Sequence, residues 1–363
     1  MTIASPPAVW QDARPLRVLG TAATLPGEPL STEELLDRID RRFGLTLGRR
    51  GRELADRLGI RTRHICRTFE RRHETPRPGQ SNPDLAAAAL SDALSTAGLT
   101  PGDLDYVIGH TATPAHPVPS NLALVADRLG YRGPYMELRQ ACTGFANALV
   151  IAEGLLAAPG ARHVALVGSE TGSVFFDPLR AAEDTGQLVN LVQMGDGAAA
   201  IILGRDDGSP GARVSHVFSG QIGLGREPGF TMIGGGSDHP VWSGGLEFDH
   251  RFSAVRDGGP ALFAAGVEAA DHLGWPLSRV DRIIPHQANG HLASLLADHL
   301  GIPARKVVVN ADRVGNTGSA AIWLALAHLR DGLAPGIEPG AAVLALGAEA
   351  TKYMFGGFVY RHG

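Results

Sequence analysis

Three positions in this chain pair a reactive side-chain type with a local pattern able to present it. Cys142 lies in MELRQACTGFANAL (136–149). A β-like run ends near Leu138, and a helical pattern of Phe145, Leu149, Ile151, Ala152 and Leu155 starts just after the cysteine. A cysteine at such a corner meets the positive end of the helix dipole, which favours thiolate over thiol. The neighbouring Gly144 permits a close approach of backbone or substrate. The competing reading is a small buried hydrophobe, the commonest fate of a free cysteine. Cys66, beside Arg63 and Arg67 and at no such corner, reads as structural.

His286 closes the β-like run in IIPHQAN (283–289), with polar Gln287 and Asn289 following. That pattern places an imidazole at the carboxyl edge of a sheet, where ligands bind in α/β folds; a structural histidine is the alternative. His110 in GHTATP holds the corresponding place earlier in the chain, as a second base or as a relic. Asn316 lies in VGNTGSAA (314–321), between the β run Val307–Asn310 and a helical pattern over Ala320–Leu329. Gly315 and Gly318 by themselves would explain a turn there.

The elements that must position these residues repeat. NPDLAAAALSDALSTAGLTPGDLDYVIGH (82–110) and GPALFAAGVEAADHLGWPLSRVDRIIPH (259–286) each read as helix, turn with proline, aspartate, short β run and histidine. ALVADRLG (123–130) echoes SLLADHLG (294–301), and GARHVALVGSE (160–170) echoes GAAVLALGAE (340–349). A period of this length is far too long for a solenoid and predicts two related α/β halves packed as layers. The halves are expected over 1–207 and 208–363, joined at the turn-rich GSPGAR (208–213). Residues 220–245 hold nine glycines with little periodicity and read as loop. If the halves pack about a local two-fold, Cys142, His286 and Asn316 line one pocket. They would supply a covalent nucleophile and two hydrogen-bond donors for a developing oxyanion.

Composition narrows the class. The chain has 363 residues, 44% hydrophobic and 19% charged, enough apolar material for a large core. A net charge of −4 argues against a dedicated nucleic-acid binder. No apolar run is long enough for a membrane helix, and the N-terminus lacks a secretory pattern, so a cytoplasmic location is expected. Two cysteines make neither a disulfide scaffold nor a zinc cluster, and no metal site is expected. Twelve arginines fall between Arg41 and Arg77, reading as a solvated helical face or as a patch for a phosphate-bearing ligand or acidic partner.

The ordered motifs GIRTRHI (59–65), TATP (111–114), PSNLALVADRLG (119–130), ACTGF (141–145), MGDGAAAIILG (194–204), PHQAN (285–289), VVVNADRVGNTGSAAI (307–322) and LGAEATKYMFGGF (346–358) resemble the β-ketoacyl-[acyl carrier protein] synthase III enzymes of the thiolase superfamily. The resemblance runs from about Leu16 to the C-terminus. It implies a five-layered αβαβα fold of two pseudo-symmetric halves, usually as a homodimer. It implies a catalytic triad carried by Cys142, His286 and Asn316, with an oxyanion hole from the backbone N–H groups of Cys142 and Ala348. It places Asn289 and Arg180 near the pantetheine channel. No permanently bound cofactor is implied. The substrates would be acyl-CoA or acyl-carrier-protein thioesters, with acyl carrier protein as partner. The implied reaction is a decarboxylative Claisen condensation through an acyl-cysteine.

The chain departs from the family pattern in three places. The tail Gly347-Ala348-Glu349-Ala350-Thr351 has fewer glycines, the segment to about Gly79 carries an Arg-rich insertion (about 41–79), and the region Gly236–Asp249 is enlarged. Altered loops around an intact triad point to a specialised acyl substrate. An acyltransferase of the same fold, moving the acyl group to a hydroxyl or amine without decarboxylation, is the nearest rival; Asn316 favours condensation. A non-catalytic partner subunit would be expected to lack triad members. Serine-hydrolase and dinucleotide readings fail on spacing, in GSETG (168–172) and GQIGLG (220–225).

Overall fold

In the strand Gly197–Arg205, Ala199, Ile201 and Leu203 join one hydrophobic core while Ala198, Ala200 and Ile202 join another. This period-two split is what a strand covered by helices on both faces must show, and it sets the layering of the molecule. The computed structural model describes residues 8–238, 247–333 and 336–363.

The first part of the chain runs β1 (Val9–Asp12), β2 (Leu16–Thr24), β3 (Leu30–Ser31), α1 (Thr32–Phe43), α2 (Gly48–Leu58), β4 (Thr62–Arg63) and α3 (Asn82–Ala97). It continues β5 (Tyr106–His110), α4 (Asn121–Leu129), β6 (Tyr135–Leu138), α5 (Gly144–Ala157), β7 (His163–Glu170), α6 (Pro178–Glu183), α7 (Thr185–Gln193) and β8 (Gly197–Arg205). The second part runs β9 (Arg213–Gln221), β10 (Phe230–Ile233), β11 (Glu247–His250), α8 (Phe252–His272), β12 (Arg282–Pro285) and α9 (Leu292–Leu300). It ends with α10 (Ala311–Val314), α11 (Ala321–Arg330), β13 (Ala342–Glu349) and β14 (Met354–Arg361).

The strand pairings duplicate. In the first half β5 is parallel to β6 and β7, β7 is antiparallel to β8, and β8 is antiparallel to β2. In the second, β12 is parallel to β13, β13 is antiparallel to β14, and β14 is antiparallel to β9. The equivalent of β6 shrinks to one parallel bridge between Ile283 and Val307, so the β run expected over Val307–Asn310 is barely a strand. Antiparallel pairing of Leu16 with Val214 and Arg17 with Arg213 joins β2 to β9 and fuses the halves into one sheet path.

Three cores fill the spaces between layers. Helices α5 and α11 lie in the middle, with Leu149, Ala152, Trp323 and Leu324 packed against strands of both halves. Helices α3 and α4 cover the outer face of the first half, and α8 and α9 that of the second. The order αβαβα follows directly. The helix expected over Asn82–Ala97 forms with those bounds, opened by a Ser81–Asp84 capping box and Pro83.

A fourth core, including Leu36, Ile39, Leu188 and Phe248, ties the α1–α2 pair to α6, α7 and the β10–β11 hairpin. The glycine-rich stretch is therefore not all loop. Phe230 stacks on Phe248 across that hairpin, with ring centroids 5.1 Å apart, and aromatic burial overrides weak periodicity. Residues 239–246 of the enlarged region lie outside the described residues.

Candidate active site

The three candidate residues sit on loops: the one from β6 to α5, the one after β12 and the one that opens α11. Cys142 is half-buried, one residue before the N-cap Thr143 of α5. His286 follows β12, and its backbone N–H donates to Leu346 O of β13 at 2.8 Å. Asn316 lies between α10 and the turn that opens α11.

Shared partners bring these corners together. Gln193, the last residue of α7, donates Nε2–H to Ala288 O at 2.6 Å, while its own carbonyl accepts the Asn316 N–H at 2.9 Å. One residue thus ties the His286 loop to the Asn316 loop. Ser319 Oγ lies 3.5 Å from Gln140 O, joining the Asn316 loop to the segment that carries Cys142. Asn316 Oδ1 accepts the Gly318 N–H at 3.0 Å. That bond fixes the amide orientation and leaves the NH2 group as the free donor.

Two carboxylates complete the arrangement, and they obey the duplication. Glu170 ends β7 and reaches into the second half, where Oε2 accepts Ser319 N–H (3.1 Å) and Oγ–H (2.8 Å) ahead of α11. Its Oε1 accepts the Ala112 N–H at 3.2 Å and the Thr113 hydroxyl. Glu349 ends β13 and reaches into the first half, where Oε2 accepts Thr143 N–H (2.9 Å) and Oγ–H (2.7 Å) at the head of α5. The Thr351 hydroxyl donates to its other oxygen. Each half therefore places a carboxylate on the N-terminal end of the other half's central helix. Neither glutamate, nor Gln193, was singled out from sequence. The signal was available, because the echoing segments 160–170 and 340–349 both end in Glu.

The electrostatics correct one expectation. The Cys142 thiol is pushed well above the ordinary cysteine value, by burial first and then by the Glu349 and Glu170 carboxylates; its own backbone N–H opposes them. The helix end that should favour thiolate is already occupied by Glu349. Burial lowers the His286 imidazole to about 4, so these two candidate residues rest as a thiol and a neutral imidazole. Burial also raises the Glu170 carboxyl, with the Thr113, Ser319 and Ala112 donors pulling it back.

His110 is buried and lowered by burial to about 3. The Trp323 indole N–H donates to its Nε2 at 3.2 Å. A Cβ on Gly144 would lie 2.7 Å from His110 Nδ1. The close approach that Gly144 permits is therefore this ring, which makes His110 a packing group beneath α5.

Ala348 is partly buried between Gly347, which packs on Phe145 and Thr143, and Glu349, which bonds Thr143. Its backbone thus borders the residue after Cys142. Asn289 Oδ1 accepts the His291 N–H at 2.6 Å, in the same loop as His286. Arg180 stands on the surface of α6, 3.5 Å from Glu183. Cys66 is fully buried, 3.5 Å from Ser173 Oγ, with its N–H on Asp196.

The Arg41–Arg77 segment divides. Arg63 and Arg67 are buried, Arg63 donating to Val192 O and Arg67 to Phe176 O. Arg61 and Arg72 pair with Asp312 and Asp177. Arg41, Arg49 and Arg57 remain exposed on α1 and α2. Among the described residues there is no group of three potential metal ligands, and no helix is long and apolar enough to cross a membrane.

Comparison with known proteins agrees with this fold. The family model for 3-oxoacyl-[acyl-carrier-protein] synthase III matches residues 136–223, and the model for its C-terminal part matches 270–361. A β-ketoacyl-[acyl-carrier-protein] synthase III from Rubrobacter xylanophilus is 36% identical over 285 residues, covering 78% of this chain and 82% of the relative. The solved structure of AbyA1, a tetronic acid condensing enzyme, is similar with a TM-score of 0.80 at 29% identity, covering 95% of this chain and 99% of that one. The 3-oxoacyl-(acyl carrier protein) synthase III, FabH, from Pseudomonas aeruginosa PAO1 gives a TM-score of 0.78 at 28% identity, covering 96% and 98%. The chain belongs to the β-ketoacyl-[acyl carrier protein] synthase III family of the thiolase superfamily, and it is an acyltransferase-class enzyme with the five-layered thiolase-like fold.

Proposed function

We propose that this enzyme condenses an acyl group, held on Cys142, with a malonyl unit carried by acyl carrier protein. The Cys142 sulfur takes the acyl group from a coenzyme A or carrier-protein thioester, and the donor leaves as a free thiol. Splitting one acyl transfer into two steps lowers each barrier. The malonyl thioester then loses carbon dioxide to give an enolate. Its carbon attacks the acyl carbonyl, and the Cys142 sulfur departs and regains its proton. His286 and the Asn316 NH2 donate to the enolate oxygen. The backbone N–H groups of Cys142 and Ala348 hold the oxyanion of the acyl carbonyl. Asn289 and Arg180 contact the pantetheine arm of the donor.

The observation that carries this reading is the Asn316 amide, pinned through Oδ1 on Gly318 N–H so that its donor end is free. Simple acyl transfer has no enolate for such a donor to hold. We further assign the division between halves to 207/208, in the turn between β8 and β9. The enzyme is taken to work in the cytoplasm as a homodimer without a permanently bound cofactor. Exposed Arg41, Arg49 and Arg57 offer an acidic carrier protein a docking face. The altered tail, the Arg-rich insertion (about 41–79) and the likeness to a tetronic acid condensing enzyme favour a specialised acyl-product pathway.

The test is Asn316→Ala. Intact-mass measurement should show Cys142 still loaded by acyl thioester, while carbon dioxide release from malonyl-carrier protein falls about 100- to 1000-fold, the usual cost of one oxyanion donor. Wild-type rates of carbon dioxide release in this variant would refute the assignment. Acyl loading without any carbon dioxide from the wild-type enzyme would favour transfer to a hydroxyl or amine instead.

A further inference from the structure

We propose that Glu349 is a positioning residue whose carboxylate, seated on the head of α5, keeps Cys142 a thiol until an acyl donor binds. The inference rests on the reading of Cys142 as acyl acceptor and goes beyond it. Glu349 is buried, and its Oε2 takes both the N–H and the hydroxyl of Thr143, the residue after Cys142. A helix N-terminus carries partial positive charge that a neighbouring thiolate could use. In this enzyme a fixed carboxylate occupies that end, so the charge is compensated before the sulfur can draw on it.

The carboxylates acting on the Cys142 sulfur are Glu349 from β13 and Glu170 from β7; His110 from β5 packs against Gly144, and His286 follows β12 with its backbone on Leu346 of β13. Both histidines are neutral in the range where a thiol titrates, being lowered to about 4 and about 3. The carboxylates are then the charges that act on the sulfur, and both raise it. Glu170 spends its oxygens on the Asn316 side, on Ser319 and the Ala112–Thr113 backbone and hydroxyl. Of the two carboxylates, Glu349 is the one bonded to Thr143 at the head of the helix that Cys142 precedes.

Acyl loading therefore begins from a protonated sulfur. As the C–S bond to Cys142 forms, the donor's C–S bond breaks, and the proton given up by Cys142 ends on the departing donor thiol. Loading should rise with pH, while the free enzyme resists alkylation.

The experiment follows carboxamidomethylation of Cys142 by iodoacetamide against pH, read by peptide mass spectrometry. It compares wild type, Glu349→Gln, which keeps an acceptor for the Thr143 N–H but no charge, and Glu349→Asp, which restores the charge. The wild-type inflection is expected above the ordinary cysteine value of ~8.5. Glu349→Gln should bring it down by about 1 pH unit and speed labelling at pH 7 about threefold, the gain in thiolate outweighing its lower nucleophilicity. Glu349→Asp should follow wild type. Superimposable wild-type and Glu349→Gln profiles would overturn the proposal. So would a wild-type inflection at or below ~8.5, a result that needs no variant to fold. Failure of acyl thioesters to modify Cys142 at all would instead remove the nucleophile assignment beneath it.

Discussion

Replacing Glu153 by methionine should make this enzyme more stable at neutral pH and leave it nearly unchanged in acid. Glu153 lies three turns along α5 from Cys142, on a helix whose neighbouring residues Leu149 and Ala152 build the central core. Its side chain is 3% exposed, and neither carboxyl oxygen has a hydrogen-bond partner among the described residues. Burial, reinforced by the Asp12 carboxylate and opposed by Arg14, pushes its carboxyl from 4.5 up to about 8. Between those values the unfolded chain releases this proton while the folded chain keeps it. The folded state then binds more protons, so stability falls as pH rises through that window and levels off above it. At 1.36 kcal/mol per unit, the accumulated loss is about 3 kcal/mol by pH 7.

A methionine of similar length keeps the packing and removes the titration. Urea unfolding of both proteins at pH 5 and pH 7.5 measures the effect, and the quantity to follow is the change in their stability difference between the two conditions. That change should be about 3 kcal/mol in favour of the variant at the higher pH. Any constant cost of the new side chain cancels in the comparison. A stability difference that is the same at both pH values would show that Glu153 is ionised in the folded protein, and the linkage argument would fail.

Glu170→Ala strips acceptors from the Ala112 and Ser319 N–H groups and from the Thr113 and Ser319 hydroxyls, so stability should drop by about 3 kcal/mol or more; an unchanged thermal midpoint would contradict the clamp. A Cβ on Gly195 would overlap Val314 O beside the Asn316 turn, so Gly195→Ala should reduce carbon dioxide release far more than acyl loading. Equal losses in both assays would dissociate that contact from Asn316. His286, lowered to about 4, should give condensation an acid limb near that pH rather than near 6.5; an inflection close to 6.5 that disappears in His286→Ala would show the ring to be solvated.

The sequence by itself determined the duplicated plan and the helices and strands around it, and it singled out three candidate side chains. These are local or repeating signals. Ser81–Asp84 caps a helix wherever that helix packs, and the apolar run over Val164–Val167 is buried on both faces whatever its partners. The exceptions lie where a partner makes the element. Phe230 makes a strand inside a glycine-rich stretch because its ring stacks on Phe248 beyond that stretch, and Val307 has one bridge where a strand was expected.

Only the tertiary structure decided the electrical state of the site. A carboxylate and the helix it caps can lie far apart in sequence, as Glu349 and Thr143 do, and a single chain read residue by residue carries no distance between them. Spacing therefore pointed to an activated thiolate at Cys142. The folded chain sets Glu349 on that helix end and Glu170 on its counterpart, and desolvation with two negative charges reverses the sign. Side-chain identity is written locally, but a group's charge answers to whatever packing brings within a few ångströms.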